Sequence, residues 1–161
     1  MRVLIHGGAG GVGSLAIQVA RGLGAKVTTT STQADYCRQL GAERVIDYRT
    51  EDFAEAGPFD VVLDTLGGQA HVRSPNALRR GGMLVALSAA PILPVAPPSG
   101  VRVEKPQVQA TRERLERLFQ WVVSGRLRPQ VTQRFALEDA HAAYAAAEGP
   151  HGRGKIVLEM S

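Results

Sequence analysis

The chain of 161 residues carries a single cysteine, Cys37. One thiol excludes an internal disulfide and a four-cysteine zinc site, and it gives no sign of an oxidising compartment. No stretch approaches the roughly 20 apolar residues that span a bilayer. The opening Met1-Arg2-Val3-Leu4-Ile5 runs directly into a folded pattern with no signal-peptide signature. The expectation is therefore a soluble, untargeted protein of the cytoplasm. The four histidines, His6, His71, His141 and His151, are widely spaced and lack cysteine or His-x-x-x-His companions. Each reads as a non-ligand, and no metal is expected.

What is present suits one globular domain. Hydrophobic residues make up 44% of the chain, enough at this length to bury roughly 70% of the unfolded surface around one core. The formal net charge is +4, but the basic residues are scattered and interleaved with glutamate. That pattern reads as a solvated surface with a mild attraction for anions, not a nucleic-acid footprint, and a phosphate-bearing cofactor would benefit from it.

Along the chain, short apolar runs alternate with helical periodicity. Val3 to Ile5 predicts a strand cut off by Gly7-Gly8. A helix follows over Val12 to Leu23, then a β-branched strand over Lys26 to Thr30 and a helix over Ala34 to Leu40 closed by Gly41. Further strands are predicted at Arg44 to Asp47, Phe59 to Asp64, Gly82 to Leu87 and, as an edge, Val101 to Val103. Between them fall a short polar helix near Thr50 to Ala54, a helix from His71 to Leu78 interrupted by Pro75, and an irregular Pro-rich connection over Pro91 to Gly100. Thr111 to Val123 has Leu115, Leu118, Phe119 and Val122 on one face, an amphipathic helix. From Pro129 the pattern is strand (Val131 to Phe135), Ala-rich helix (Glu138 to Glu148) and strand (Lys155 to Leu158). Alternating strands and helices imply an α/β, doubly wound Rossmann fold. Its six-stranded, mainly parallel sheet, flanked by helices, takes the order 3-2-1-4-5-6, with a cleft outside the carboxyl ends of the first and fourth strands.

Gly8-Ala9-Gly10-Gly11-Val12-Gly13 fits G-x-G-x-x-G after a strand and at the opening of a helix, the context that makes this motif specific for dinucleotides. Gly8 permits the turn, Gly10 lets the backbone approach a pyrophosphate, and Gly13 lets the helix pack on the strand. The amides around Gly11, Val12 and Gly13 face the anion, aided by the helix dipole. No lysine follows in Gly13-Ser14-Leu15, which disfavours a P-loop. Tyr36, Tyr48 and Tyr144 are followed at the Tyr-x-x-x-Lys spacing by Leu40, Asp52 and Glu148, which excludes the short-chain dehydrogenase pair. The end of the second strand, Thr28-Thr29-Thr30-Ser31-Thr32, lacks the acid that would hold an NAD ribose or the ribose of adenosylmethionine. Small hydroxyl residues leave room for a 2′-phosphate, so NADP(H) is preferred over NAD(H). Asp35 falls in the first turn of the next helix.

The string Val3 to Ser14, with Leu40-Gly41-Ala42, Val45-Ile46-Asp47-Tyr48, Phe59 to Gly68, Leu78 to Gly82, Gly125-Arg126-Leu127-Arg128-Pro129 and Gly152 to Leu158, resembles the medium-chain dehydrogenase/reductase superfamily. The likeness is to its zinc-independent, quinone oxidoreductase-like branch. The resemblance implies that Gly10, Gly11 and Val12 hold the pyrophosphate, that Ser31 meets the 2′-phosphate and that Tyr48 lies by the adenosine ribose. Ser31 as a mere strand end and Tyr48 as a half-buried aromatic remain open. Leu66, Leu87 and Ser88 follow strands whose loops approach the nicotinamide in that family. Gln33 stands where relatives often carry lysine or arginine, and Arg38 reads as a solvated helix residue.

The same resemblance implies two parts, residues 1–128 as the NADP(H)-binding domain and residues 129–161 as the segment that returns to a GroES-like catalytic domain, none of which is in this sequence. Phe135, Ala140, Tyr144 and Ile156 would then present apolar surface. The implied activity is hydride transfer to a quinone or other α,β-unsaturated carbonyl, with the isolated chain inactive and the catalytic residues unknown. The alternative is a non-catalytic NADP(H)-binding module. A homodimer through the edge strand is expected, with no nucleic-acid or membrane partner.

Overall fold

A computed structural model of the chain describes residues 1–87, 96–148 and 153–160. The first strand, β1 (Arg2–Ile5), leads through the glycine loop into α1 (Gly13–Gly22), then β2 (Lys26–Thr30), α2 (Ala34–Leu40) and β3 (Arg44–Ile46). The second half runs β4 (Phe59–Asp64), α3 (Gly68–Arg73), β5 (Leu78–Ala86), β6 (Arg102–Glu104) and α4 (Arg112–Val123). All six strands pair in parallel in the order β3-β2-β1-β4-β5-β6. The chain starts in the middle, winds outward to β3, then crosses to β4 and winds the other way. Two loops therefore diverge between β1 and β4, and a crevice opens there at the carboxyl ends.

Strand alternation distributes the core. Val3 and Ile5 of β1 point to one face, where they pack with Ile17, Val27, Cys37 and Leu40. Leu4 points to the other, against Ile46, Phe59, Val62 and Leu84. A strand apolar on both faces is what a sheet covered on both sides requires, and each fully buried Leu, Ile or Phe stabilises the fold by about 1.5–3 kcal/mol.

Several boundaries differ from the sequence expectation. The helix predicted over His71 to Leu78 is α3 followed by a turn of 3₁₀-helix at Ser74–Ala77, with Pro75 at its start. Pro75 cannot donate to the preceding turn, so the tighter coil replaces the continuation. β5 begins at Leu78, four residues ahead of Gly82, because Leu78 pairs with Phe59 before the register shifts at Val61. The short polar helix is a 3₁₀ turn at Phe53–Ala56, capped by Asp52 through the amide of Ala54. The edge strand lies one residue later than predicted. The Pro-rich connection lies outside the described residues over 91–95.

α4 is amphipathic as expected, capped by Thr111, but none of its residues is buried. After it come β7 (Val131–Ala136), α5 (Ala140–Glu148) and β8 (Lys155–Glu159), a parallel pair with its crossover helix forming a second, two-stranded sheet. This unit is tied back by Gly154, whose amide donates to Ala9 O at 3.0 Å, and by the reciprocal bonds between Gln18 and the Arg128 backbone. Tyr144 is exposed, while Phe135, Ala140 and Ile156 are half-buried. Among the described residues no helix is long and apolar enough to cross a membrane.

Candidate functional site

The crevice between β1 and β4 is a cleft of about 730 Å³. Its floor is the glycine loop. A Cβ on Gly13 would overlap the Gly7 carbonyl, so only glycine lets α1 start this close to the strand. Gly8 is a fold residue: its amide donates to Thr30 O at 3.1 Å, and its missing Cβ makes room for Thr29. Gly10, Gly11, Val12 and Gly13 line the cleft itself. Among the described residues, the amides of Gly11, Val12 and Gly13 have no backbone acceptor. Three unfilled donors at the amino end of a ten-residue helix form an anion site.

Below the loop, His6 is buried and held neutral. Ser74 Oγ donates to Ala70 O, so it accepts from His6 Nε2 at 2.9 Å, and Nδ1 faces Thr30 Oγ1 at 3.3 Å. Burial pulls the imidazole down to about 4, with the Asp64 charge opposing in part. His6 also meets Phe53 edge-on at 4.6 Å between ring centres.

Ser31 and Tyr48 both line the cleft on the β2–β3 side. Ser31 is buried; its Oγ accepts from the Gln33 amide at 3.0 Å, and its hydroxyl, within hydrogen-bonding reach of the Cys37 thiol, keeps one proton to donate. Tyr48 is exposed. Leu66 lines the opposite, β4 side. Leu87 directly follows β5 at its carboxyl end, its amide on Asp64 O at 2.8 Å. Ser88 and His151 lie outside the described residues. Asp35 sits in the first turn of α2, paired with Arg38 on the surface.

Two cationic residues of this cleft escaped the sequence reading. Arg153, just before β8, sets Nε and Nη2 on Gln33 Oε1 at 3.1 and 2.6 Å and lies over the Tyr36 ring at 5.4 Å. Lys155 lays its side chain across Gly11, where a Cβ would stand 2.7–2.8 Å from its Cε, Cδ and Nζ. A cation therefore does stand beside position 33, brought there from the far end of the chain. The signal available was Gly152-Arg153-Gly154-Lys155, two cations bracketed by glycine, which read only as a mark of family resemblance. Among the described residues no three His, Cys, Asp or Glu side chains gather to hold a metal ion.

The pattern described as zinc-binding dehydrogenase matches residues 40–158. The chain belongs to that family, within the medium-chain dehydrogenase/reductases. Similar curated proteins include the trans-enoyl reductase pgmF of Aspergillus terreus, 30% identical over 99% of this chain and 51% of that protein. A 2-haloacrylate reductase of a Burkholderia species is 33% identical over 97% of this chain and 54% of that protein. Among solved structures, the quinone oxidoreductase of Coxiella burnetii superposes with a TM-score of 0.86 at 33% identity, covering 99% of this chain and 53% of that one. The Escherichia coli quinone oxidoreductase complexed with NADPH gives 0.82 at 30% identity, covering 97% and 56%. The chain spans about half the length of these relatives.

Proposed function

We propose that the chain is the NADP(H)-holding half of a reductase that delivers hydride to a quinone or another α,β-unsaturated carbonyl. The observation that carries this reading is the end of β2, where a hydroxyl and a guanidinium stand in place of a carboxylate. Ser31 can donate to a 2′-phosphate, and Arg153 can turn from the neutral Gln33 oxygen to the phosphate, a stronger acceptor for a charged fork. An Asp or Glu there would repel that phosphate instead.

The remaining residues fit the same ligand. The free amides of Gly11, Val12 and Gly13, with Lys155 above them, match a pyrophosphate. Tyr48 stands on the ribose side of the adenosine, and Thr65 and Leu66 form the wall on the β4 side. When bound, the reduced nicotinamide supplies the hydride. This chain binds and orients it, and Leu66 keeps water from one side; no residue here is assigned as proton donor. Relatives whose names specify enoyl, haloacrylate, methylene-furanone and quinone acceptors support a conjugated acceptor, in which hydride adds at one end of the conjugated system and a proton completes the other. The division at residue 128, and a homodimer through β6, belong to this same reading.

Calorimetric titration of the chain with NADPH and NADH tests it. NADPH binds more tightly if the β2 terminus is a 2′-phosphate site; equal or tighter binding of NADH overturns the assignment.

A further inference from the structure

Behind the β4 wall lies a buried pair that the proposed cofactor contacts do not use. His71 and Asp64 are both fully buried, which is costly for an imidazole and a carboxylate unless their polar atoms are satisfied. His71 Nδ1 donates to Asp64 Oδ2 at 2.9 Å, and Asp64 Oδ1 accepts from the amides of Leu66 and Gly67, each at 2.9 Å. The His71 amide donates in turn to Gly67 O at 3.3 Å. His71 therefore holds the turn Thr65–Gly67 twice, through its own backbone and through the carboxylate. Among the described residues its Nε2 has no partner, so the ring's polar bonding there is committed to Asp64.

Gly67 has φ +75°, which glycine adopts without strain and can as easily leave, so the position of the turn depends on the bonds made to it. Its outer end is registered on the glycine loop: Thr65 Oγ1 donates to His6 O at 2.8 Å, and a Cβ on Gly7 would meet Leu66 Cδ2 and Thr65 Oγ1 at 3.0 Å. Leu66 is thereby fixed at the cleft wall on the β4 side. In a doubly wound sheet the two mononucleotides lie on opposite sides of the switch point. Ser31 and Arg153 mark the adenosine side, which leaves Leu66 beside the nicotinamide.

We propose that His71 is a positioning residue for the nicotinamide end of the cofactor, acting through Asp64 and the Thr65–Gly67 turn. This rests on the dinucleotide reading above. With an apolar residue at position 71, Asp64 Oδ2 loses its donor and the carboxylate is free to reorient, so Leu66 and Gly67 lose a fixed acceptor. The adenosine side, held by β2 and Arg153, is untouched.

The test compares two ligands on one protein: NADPH and 2′-phospho-ADP-ribose, which lacks the nicotinamide. Titration calorimetry gives both affinities for the wild-type chain, His71→Leu and His71→Asn, with thermal unfolding and NADPH fluorescence alongside. The wild-type chain is expected to bind NADPH more tightly than the truncated ligand. His71→Leu should lose about tenfold in NADPH affinity, or 1.4 kcal/mol, and shift the fluorescence of bound NADPH, with less than a twofold change for 2′-phospho-ADP-ribose. His71→Asn, whose amide nitrogen can stand where Nδ1 stands, should restore most of the loss. If His71→Leu does not fold, His71→Gln, which displaces the donor by one bond, should show the same split at smaller size. Equal losses for both ligands, no loss for either, or a wild-type chain that gains nothing from the nicotinamide would overturn the inference. A wild-type chain that binds neither ligand would instead overturn the dinucleotide reading on which it depends.

Discussion

Arg153 and Gln33 meet across 120 residues of sequence, with Arg153 Nη2 2.6 Å from the amide oxygen. An arginine held on a neutral acceptor, beside a serine hydroxyl, is a cation kept in place and easily released to an anion. Arg153→Ala should weaken NADPH binding about tenfold, the worth of one exposed charge-assisted contact, and leave NADH unchanged. Gln33→Glu should do more, because the new carboxylate would hold Arg153 and also repel the 2′-phosphate; preference should invert towards NADH. Parallel titrations of both cofactors read both effects. Equal losses for NADPH and NADH would place Arg153 elsewhere than at the 2′-phosphate.

Much of the first half was legible because its determinants are local. β2, α2 and β4 fall at the predicted residues, since β-branched runs and helix-ending glycine act over a few positions. The strand order followed from alternation, crossover handedness and the two mononucleotide-binding halves that six strands and the glycine loop suit. What stayed hidden depends on distant contacts. Arg79-Arg80-Gly81 carries no strand pattern, yet β5 runs through it because Leu78 finds Phe59. His71 read as an isolated histidine, since nothing in its neighbourhood says that Asp64 will lie 2.9 Å away. Arg153 and Lys155 reach the cleft through the β7–β8 unit, whose Gly154 amide is bonded to Ala9 O in the glycine loop.

The glycine loop separates folding from binding at two positions. A Cβ on Gly13 would run into the Gly7 backbone, which cannot yield without moving the loop. Gly13→Ala should therefore destabilise the chain by about 1–3 kcal/mol, the usual range for overpacking. At Gly10 the nearest atom to a new Cβ is Gly7 O at 3.3 Å, a contact the fold can absorb, but the methyl would stand in the cleft. Gly10→Ala should leave the thermal midpoint nearly unchanged and weaken NADPH and NADH alike, with Gly10→Asp worse through repulsion of the pyrophosphate. A large midpoint loss in Gly10→Ala would contradict this division.

His6 gives the fold an acid-sensitive window. Its imidazole titrates near 6.5 when unfolded and at about 4 in the folded chain, lowered chiefly by burial. Above 6.5 both states are neutral. As the pH falls from 6.5 towards 4, the unfolded chain binds a proton that the folded chain refuses, so stability drops, by up to about 3 kcal/mol. The contribution is then exhausted. Urea unfolding at a series of pH values should show this slope, and His6→Gln should flatten it between those limits. An unchanged slope would mean that the folded His6 takes up its proton as readily as the unfolded one.

At the sheet's edge, β6 pairs with β5 through Val103 opposite Leu84, and among the described residues no strand pairs with its other side. A second copy could pair there across a two-fold axis to continue the sheet. Light scattering at rising concentration should report a dimer. Val103→Pro, by disturbing a strand of only three residues, should shift the mass towards monomer with a small change in thermal midpoint. A strictly monomeric wild-type chain would remove β6 as a seam.

The 161-residue chain should bind NADPH and yet reduce quinones negligibly. In the proposed reading the described lining of the cleft, which includes the glycine loop, the end of β2 and Leu66, is taken up by the cofactor and leaves no wall for an acceptor. Hydride transfer needs the acceptor carbon about 3–3.5 Å from its donor, and losing such positioning forfeits several kcal/mol of barrier reduction, hence orders of magnitude in rate. The family resemblance assigns that second wall to a GroES-like half, and this chain spans about half the length of its relatives. Fusing such a half from a relative ahead of Met1 should therefore raise turnover by orders of magnitude while NADPH affinity changes little. Loss of reduced-nicotinamide absorbance with a panel of quinones and enones reads the rate, and calorimetry reads the affinity. Binding without turnover in the fused protein as well would favour a non-catalytic NADP(H)-binding module. Saturable turnover by the chain alone would instead locate a complete active site within it, with the Thr65–Gly67 turn as the first place to mutate.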